Sequence, residues 1–316
     1  MKNIPAEQIK ALLDWPSLNS ALGEMFATRS CEAPSRHHHT IPVPNNLDAT
    51  LLIMPAWQSG AYVGVKLATV FPGNAAVGLP AVSGVYLLLD GTNGNILATI
   101  DGGELTARRT ASASALAAKY LAPENARTML MIGTGRLSRN LIEAHASVRP
   151  IENVLVFGRS LEKAAAIAAS VEEMGFNAKP VTNLKAAAER ADVISCATLS
   201  TKPILHGSWI SPGTHIDLVG AFKSTMRETD DELMASADQI FVDTRAGAFG
   251  EAGDIIQAIS SGALPKDPVS GDLFDLTSGK LKGRLREEDR TVFKSVGASL
   301  EDLAAAILVY ERCLDF

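Results

Sequence analysis

Met129-Leu130-Met131-Ile132-Gly133-Thr134-Gly135-Arg136-Leu137-Ser138 is the stretch that decides the fold. Four apolar residues in succession read as a strand buried on both faces, as a parallel sheet demands. The run then breaks into G-x-G-x-x-S. Gly133 permits a tight turn, and Gly135 lets the backbone approach a pyrophosphate. Ser138 is small enough to stand where a third glycine lets helix and strand pack closely. The following residues continue as a helix whose first N–H groups face an anion. Between a strand and a helix the pattern specifies a dinucleotide site at Gly133, Thr134, Gly135, Arg136 and Leu137.

Working outward, Val154–Phe157, Val193–Ala197, His215–Val219 and Gln239–Val242 repeat the buried-strand signature. Helical stretches separate them, the strongest being Leu161–Met174, which stops at Gly175. This alternation predicts an α/β fold with a Rossmann-type, doubly wound parallel sheet. Thr229-x-x-Glu232 reads as a capping box. Thr198 and Leu199, just past one strand end, are expected near the adenosine or ribose side. Val219 and Gly220, past the next, are expected near the nicotinamide. Phe293–Gly297 either borders the same site or is a plain strand leading to the last helix. Asp217, internal to an apolar strand, reads as structural.

The end of the second strand selects the dinucleotide. Chains that bind NAD place an acid there for the ribose hydroxyls. Here the segment is Phe157-Gly158-Arg159-Ser160, without a carboxylate. Arg159 can pair with a 2′-phosphate, Ser160 can donate to it, and Lys163 adds charge about one helical turn later. NADPH is favoured, with NADH use left open.

Residues 1–118 read as mixed α/β. Thr50–Met54 and Val85–Leu89 are apolar runs, and Leu89–Ile96 reads as a hairpin connection. Glu104–Leu121 is an alanine-rich helix with Asp101 as its cap. Ser299-x-x-Asp302 reads as the cap of a last helix, Leu300–Cys313, returning to the first domain. The predicted domains are therefore 1–118 with 299–316, and 119–298. Arg36 precedes His37-His38-His39 in a polar stretch. Lys66 sits in a strand-like run, on the same face as Gly64 and Ala68. Arg109 lies early in the small-residue helix.

Hydrophobic residues at 47% against 20% charged suit a soluble globular protein. A net charge of −6, with no basic stripe, argues against nucleic acid as partner. Residues 1–13 lack the apolar core of a signal peptide, and no stretch is long enough to span a bilayer. Three scattered cysteines suggest neither a disulfide framework nor a zinc site, so a reducing, cytoplasmic location is expected. No metal is expected, because neighbouring histidines in a strand point to opposite faces.

Taken together, these segments resemble the ornithine cyclodeaminase/μ-crystallin family. The resemblance rests on Lys66 with Pro72 and Asn74, on Leu105–Ala117, on Gly133–Gly135, on Ala191–Thr198 and on Pro212–Ala221, in family order across nearly the whole chain. It implies that Arg36, Lys66 and Arg109 bind the carboxylate and imine region of a small amino-acid-derived substrate. The N-terminus of the helix carrying Arg109 would further favour the anion. Lys66 is left with two roles, a bond to the carboxylate or proton donation if burial lowers its pKa. The resemblance also implies a homodimer whose sheet comes from the first domain. Cyclodeaminases carry an aspartate two residues after the "VG" of this segment, where this chain has Phe222. That replacement removes the group for the substrate amine and suits a flat apolar ring. "DLVGAF" followed by Met226-Arg227-Glu228, and "RHHHTI" at Arg36–Ile41, are similar to the bacterial Δ1-pyrroline-2-carboxylate (ketimine) reductases of the family. The implied reaction is reduction of a cyclic ketimine, giving L-proline, with Δ1-piperideine-2-carboxylate to L-pipecolate as a second substrate. Alternatives are an alanine-type dehydrogenase, an ornithine cyclodeaminase, and a μ-crystallin-like protein that binds NADPH and a ligand without turnover.

Overall fold

The computed structural model describes residues 1–314; Asp315 and Phe316, at the end of the predicted 299–316 segment, lie outside it. The chain divides into two compact units. One is Met1–Thr110 resumed at Ala298, and the other is Ala111–Gly297.

The first unit contains β1 (Lys2–Ile4), α1 (Ala6–Leu12), α2 (Trp15–Thr28), β2 (His37–Ile41), β3 (Ala49–Gln58), β4 (Tyr62–Val70), β5 (Val82–Asp90) and β6 (Ile96–Asp101), and α3 (Gly102–Leu121) opens in it. Its six-stranded sheet has the order β1-β6-β5-β4-β3-β2. All neighbours are antiparallel except β1, which pairs parallel with β6. The Leu89–Ile96 hairpin forms as expected, with those two residues paired and Gly94 at φ 76° in the turn. Asp101 Oδ1 accepts the Glu104 N–H at 2.7 Å, so the predicted cap holds. Strand alternation puts Gly64, Lys66 and Ala68 on one buried face of β4. Val63, Val65 and Leu67 point the other way, level with Ile53 on β3 and Leu87 on β5, and are only half-buried.

The C-terminal helix, Ser299–Arg312, covers the inner face of this sheet. Gly64 is what admits it. A Cβ there would collide with the Tyr86 hydroxyl and stand 3.0 Å from Leu303 Cδ1. The expected cap at Ser299 and Asp302 is overturned. Ala298 holds the N-cap position with no side-chain bond, and Asp302 is turned into the protein, fully buried. The reason is electrostatic, since buried cations lie opposite it.

The second unit follows α3 with β7 (Thr128–Ile132), α4 (Leu137–Ala146), β8 (Asn153–Phe157), α5 (Leu161–Glu172), β9 (Asn177–Pro180), α6 (Leu184–Ala188), β10 (Val193–Cys196), β11 (His215–Leu218), α7 (Asp231–Ser236), β12 (Gln239–Val242), α8 (Arg245–Glu251), α9 (Gly253–Ser260), β13 (Gly271–Asp272), α10 (Leu273–Thr277) and β14 (Thr291–Lys294). The eight strands are ordered β13-β12-β14-β11-β10-β7-β8-β9. Every pairing in this sheet is parallel. Successive residues of β10, β11 and β14 are all buried, so both faces of the sheet are covered. Strand order reverses at β7, with β8 and β9 on one side and β10 and β11 on the other. The crevice at its carboxyl end is the topological switch point.

One local expectation changes here, and one left with two readings takes the form of a strand. The cap of α7 is Asp230, which accepts the Leu233 N–H at 2.9 Å. Thr229, the expected cap, instead donates its hydroxyl to Asp254 Oδ1 at 3.1 Å. Phe293 and Lys294 lie inside β14, an interior strand between β11 and β12. Among the described residues no helix is long and apolar enough to cross a membrane.

Gly64→Ala should overpack the seat of the C-terminal helix and cost about 1–3 kcal/mol of stability. A urea-unfolding midpoint unchanged from the parent would show that Tyr86 moves aside freely.

Candidate active site

The phosphate loop grows out of β7. Gly133 donates its N–H to Phe157 O at 2.9 Å and adopts φ 126°. A Cβ at Gly133 would lie 2.6 Å from Ala197 O, so the loops after β7 and β10 touch across the switch point. Only glycine satisfies both the dihedral and the approach. Gly135 is exposed, and a Cβ there would meet nothing within 4 Å, which leaves its face open to a ligand. Ser138 is buried and donates its hydroxyl to Gly133 O at 3.0 Å, bracing the loop from inside. Helix α4, which follows the glycine loop, begins without a side-chain cap, as does α9, whereas α5, α6, α7, α8 and α10 are capped. A helix N-terminus without a side-chain cap beside an open glycine suits a pyrophosphate. Thr134 and Leu137 are half-buried, and Arg136 is exposed at the helix start.

At the end of β8, Arg159 and Lys163 are exposed. Ser160 caps α5 by accepting the Lys163 N–H at 3.3 Å. That bond uses the oxygen's lone pair and leaves the hydroxyl proton for an outside acceptor. Gly158 sits where a Cβ would lie 2.5 Å from Thr134 Cγ2, so the second strand end closes against the phosphate loop. These residues fit a dinucleotide carrying a 2′-phosphate.

A buried carboxylate that the sequence did not disclose stands behind the next two strand ends. Glu228 Oε1 accepts the Thr198 N–H at 2.7 Å and the Thr198 hydroxyl at 2.8 Å. Its Oε2 accepts the Gly220 N–H at 2.8 Å and the Ala221 N–H at 3.3 Å. A Cβ at Gly220 would run into the Thr198 backbone, so glycine allows these loops to meet. Burial pushes the Glu228 carboxyl up to about 7, with Asp254 adding to the rise and Lys294 and the Thr198 donors opposing it. Lys294, itself buried, donates to Leu218 O at 3.1 Å and lies 3.5 Å from Asp254 Oδ2. Leu199 is exposed beside Thr198, while Val219 is buried beside Gly220. Phe222 packs partly against the hydrophobic core of this unit, so less of its ring faces outward than the sequence suggested.

In the other unit, Lys66 and Arg109 come together on the inner face of the sheet. Lys66 is 4% and Arg109 5% exposed. Lys66 Nζ lies 2.7 Å from Asp302 Oδ2 and 3.5 Å from Thr106 Oγ1. Arg109 donates through Nε to Asp302 Oδ1 at 2.9 Å and through Nη1 to Glu301 Oε2 at 2.6 Å. Burial lowers the Lys66 pKa to about 8; Asp302 pulls it back up, and Arg109 and Arg36 press it down. Burial alone would raise the Asp302 carboxyl, but Arg109 and Lys66 hold it below its usual range. Arg36 is half-buried just before β2 and is close enough for its charge to be felt at Lys66. Arg109 is two turns into α3, which begins at Gly102, so the dipole effect expected for it is absent there.

The sequence reading missed Glu301, Asp302 and Glu228. Asp302 was legible in principle: it lies four and seven residues before Ala306 and Val309 on the buried stripe of its helix, an unusual place for an acid. Glu228 sits in an irregular loop, where no periodicity reports burial. His37 and His39 stack on one face of β2, with centroids 6.4 Å apart, and all three histidines of the run are exposed. Among the described residues no group of three or more His, Cys, Asp or Glu is placed to hold a metal ion. Asp217 accepts from Ser195 Oγ at 2.6 Å and Ser114 Oγ at 2.9 Å, and lies 3.1 Å from His145 Nε2, a structural hub inside the parallel sheet.

Known proteins are similar to the chain over nearly its whole length. The chain is 38% identical over 298 residues to a Δ1-pyrroline-2-carboxylate reductase of Paracoccus denitrificans, covering 92% of this chain and 94% of that one. The structure of Thermococcus litoralis Δ1-pyrroline-2-carboxylate reductase in complex with NADH and L-proline superposes with a TM-score of 0.93 at 30% identity, over 100% of this chain and 98% of the other. An archaeal alanine dehydrogenase dimer with bound NAD gives 0.90 at 29% identity, over 100% and 96%. The model of the ornithine cyclodeaminase/mu-crystallin family matches residues 12–316, and the chain belongs to that family.

Proposed function

We propose that the chain is an NAD(P)H-dependent reductase of cyclic ketimine acids, converting Δ1-pyrroline-2-carboxylate to L-proline and accepting Δ1-piperideine-2-carboxylate as a second substrate to give L-pipecolate. The observation that carries this reading is the buried Lys66–Asp302–Arg109 cluster, with Lys66 held at a pKa of about 8. It sets a proton donor beside a carboxylate-binding cation. The Paracoccus and Thermococcus reductases, whose names state this reaction, support the choice of substrate. We assign residues 119–298 to the dinucleotide, and residues 1–118 with 299–316 to substrate binding and dimerisation. Free cysteines suit a reducing cytoplasm.

The dinucleotide supplies the hydride when bound. The hydride adds at C2 of the ring while the C=N π pair moves to nitrogen, which then needs one proton. Lys66 holds that proton at Nζ. Two of its N–H bonds face Asp302 and Thr106, and the third remains for the imine. Asp302 keeps the ammonium oriented and partly offsets its desolvation. Lys66 and Arg109 are balanced by Glu301 and Asp302, and the charge of Arg36 is felt at Lys66. Arg109 spends Nε and Nη1 on the two acids, which leaves Nη2 for the substrate carboxylate. Lys66 thus acts as proton donor, with Arg109 and Arg36 as carboxylate ligands.

An alanine-type dehydrogenase acting on pyruvate and ammonia is the second reading, favoured by the likeness to the archaeal enzyme. Phe222 weighs against it and against ornithine cyclisation, since neither reaction gains from a phenyl ring where an ammonium must be held. Parallel assays of NADPH oxidation with the cyclic imine and with pyruvate plus ammonia separate the two. Turnover with pyruvate alone would install the dehydrogenase, and silence with both would leave a binding protein.

A donor of pKa about 8 predicts kcat that is level below that pH and falls about tenfold per unit above it. Because Asp302 raises the Lys66 pKa, Asp302→Asn should move this alkaline limb to lower pH. An unmoved limb would remove Lys66 from the proton step.

Arg159→Asp should shift the kcat/KM preference toward NADH by about tenfold or more, the loss of a charge-assisted contact. An unchanged ratio would show that the 2′-phosphate is read elsewhere.

The half-buried apolar face around Ile53, Val65, Leu67 and Leu87 is assigned to a homodimer contact. Light scattering should give twice the chain mass of 33.4 kDa for the parent and a single chain for Leu67→Lys. A parent that is already monomeric defeats this assignment.

A further inference from the structure

Glu228 belongs to no element of the reaction described above, yet it is among the most heavily bonded side chains of the second unit. It is fully buried and takes four donors on two oxygens. The donors come from two different loops, one following β10 and the other following β11. These are adjacent parallel strands, so the carboxylate bridges the carboxyl ends of neighbours beside the switch point. In a doubly wound sheet, strand-end N–H groups at that edge are the ones that meet a ligand. Here the Thr198, Gly220 and Ala221 N–H groups are turned away from the edge and fastened from behind, which fixes the opposite, outward surface of both loops.

The fastening has its own support. Asp254 Oδ1 accepts the Glu228 N–H at 2.8 Å and the Thr229 N–H at 3.0 Å, anchoring the backbone that carries the carboxylate. Lys294 projects from β14 toward Asp254 and supplies the positive charge that a buried pair of carboxylates requires. The close contact at Gly220, where any side chain would strike Thr198, shows that the two loops have no room to rearrange independently.

We propose that Glu228 is a positioning residue for the nicotinamide half of the dinucleotide, locking the Thr198 and Gly220 loops into one rigid platform. The proposal rests on the dinucleotide-binding reading of this unit. Thr198, expected from sequence on the adenosine or ribose side, is here assigned to the nicotinamide platform because Glu228 ties it to Gly220, whereas Arg159 and Ser160 lie at the end of β8 and share no hydrogen bond with Glu228. A defect in the platform should therefore be felt by the whole dinucleotide and not by its adenosine fragment. A general loosening of the unit would weaken both.

The test uses the full-length protein and two probes, NADPH and adenosine 2′,5′-bisphosphate, with binding measured by calorimetry. Glu228→Gln places an amide NH₂ against N–H donors and should weaken NADPH about tenfold, leaving the bisphosphate within about twofold of the parent. Amide hydrogen exchange of the ligand-free variant should quicken at Thr198, Gly220 and Ala221 and stay unchanged at Gly133. Thr198→Val, which deletes one donor and keeps the carboxylate, should show the same selectivity at smaller amplitude, and it carries the test if the glutamine variant does not fold. Equal losses for both probes, or unchanged NADPH affinity, would overturn the positioning role. A parent protein that binds neither probe would overturn the dinucleotide reading itself.

Discussion

Burying Lys66 and Arg109 inside the first unit is feasible only because Glu301 and Asp302 arrive opposite them. An ionised side chain taken out of water loses several kcal/mol of hydration, and removing one partner of a buried pair costs about 3–5 kcal/mol. The four charges sum to zero, and the two oxygens of Asp302 each lie against a different cation. Much else in the unit serves this meeting. Gly64 leaves the sheet flat enough for the C-terminal helix to descend. Strand alternation holds Lys66 on the face that receives it. The acids come from the far end of the chain, so residues 299–312 return to a sheet completed by residue 101. Chain topology and active-site electrostatics are thus one constraint.

The consequence for chemistry is a lysine poised between its two states. Burial lowers its pKa, and Asp302 raises it. In the proposed reaction, the balance near 8 would let Lys66 remain charged at neutral pH and still donate. Arg109 lowers the lysine pKa through repulsion, and in the proposed reaction its remaining edge would take the carboxylate.

The second unit solves its own problem with a different device. A parallel sheet ends in loops whose N–H groups lack partners, and a ligand site needs some left open and others fixed. At β7 the groups stay open: Gly135 has no neighbour on its Cβ side, and α4 has no side-chain cap. At β10 and β11 they are tied down by Glu228. Glu228 lies in the loop after β11, and Asp254 and Lys294, more distant in sequence, hold it in place.

The sequence by itself determined the parallel sheet, the phosphate loop, the Leu89–Ile96 hairpin and the face on which Lys66 lies. Each follows from local period or from glycine's dihedral freedom, which a short window of residues expresses fully. It left open the short strands at the sheet margins and β14, whose buried Lys294 breaks the apolar pattern. It also misassigned Thr229 and Asp302 to helix caps, because a polar residue at a helix start satisfies the capping rule whether or not its side chain bonds there. Asp302 faces Lys66, and Glu228 joins two loops, only once distant segments are brought together. Tertiary structure alone decided these placements, because the preference of a carboxylate for a buried cation or a set of N–H donors depends on partners that no local window contains.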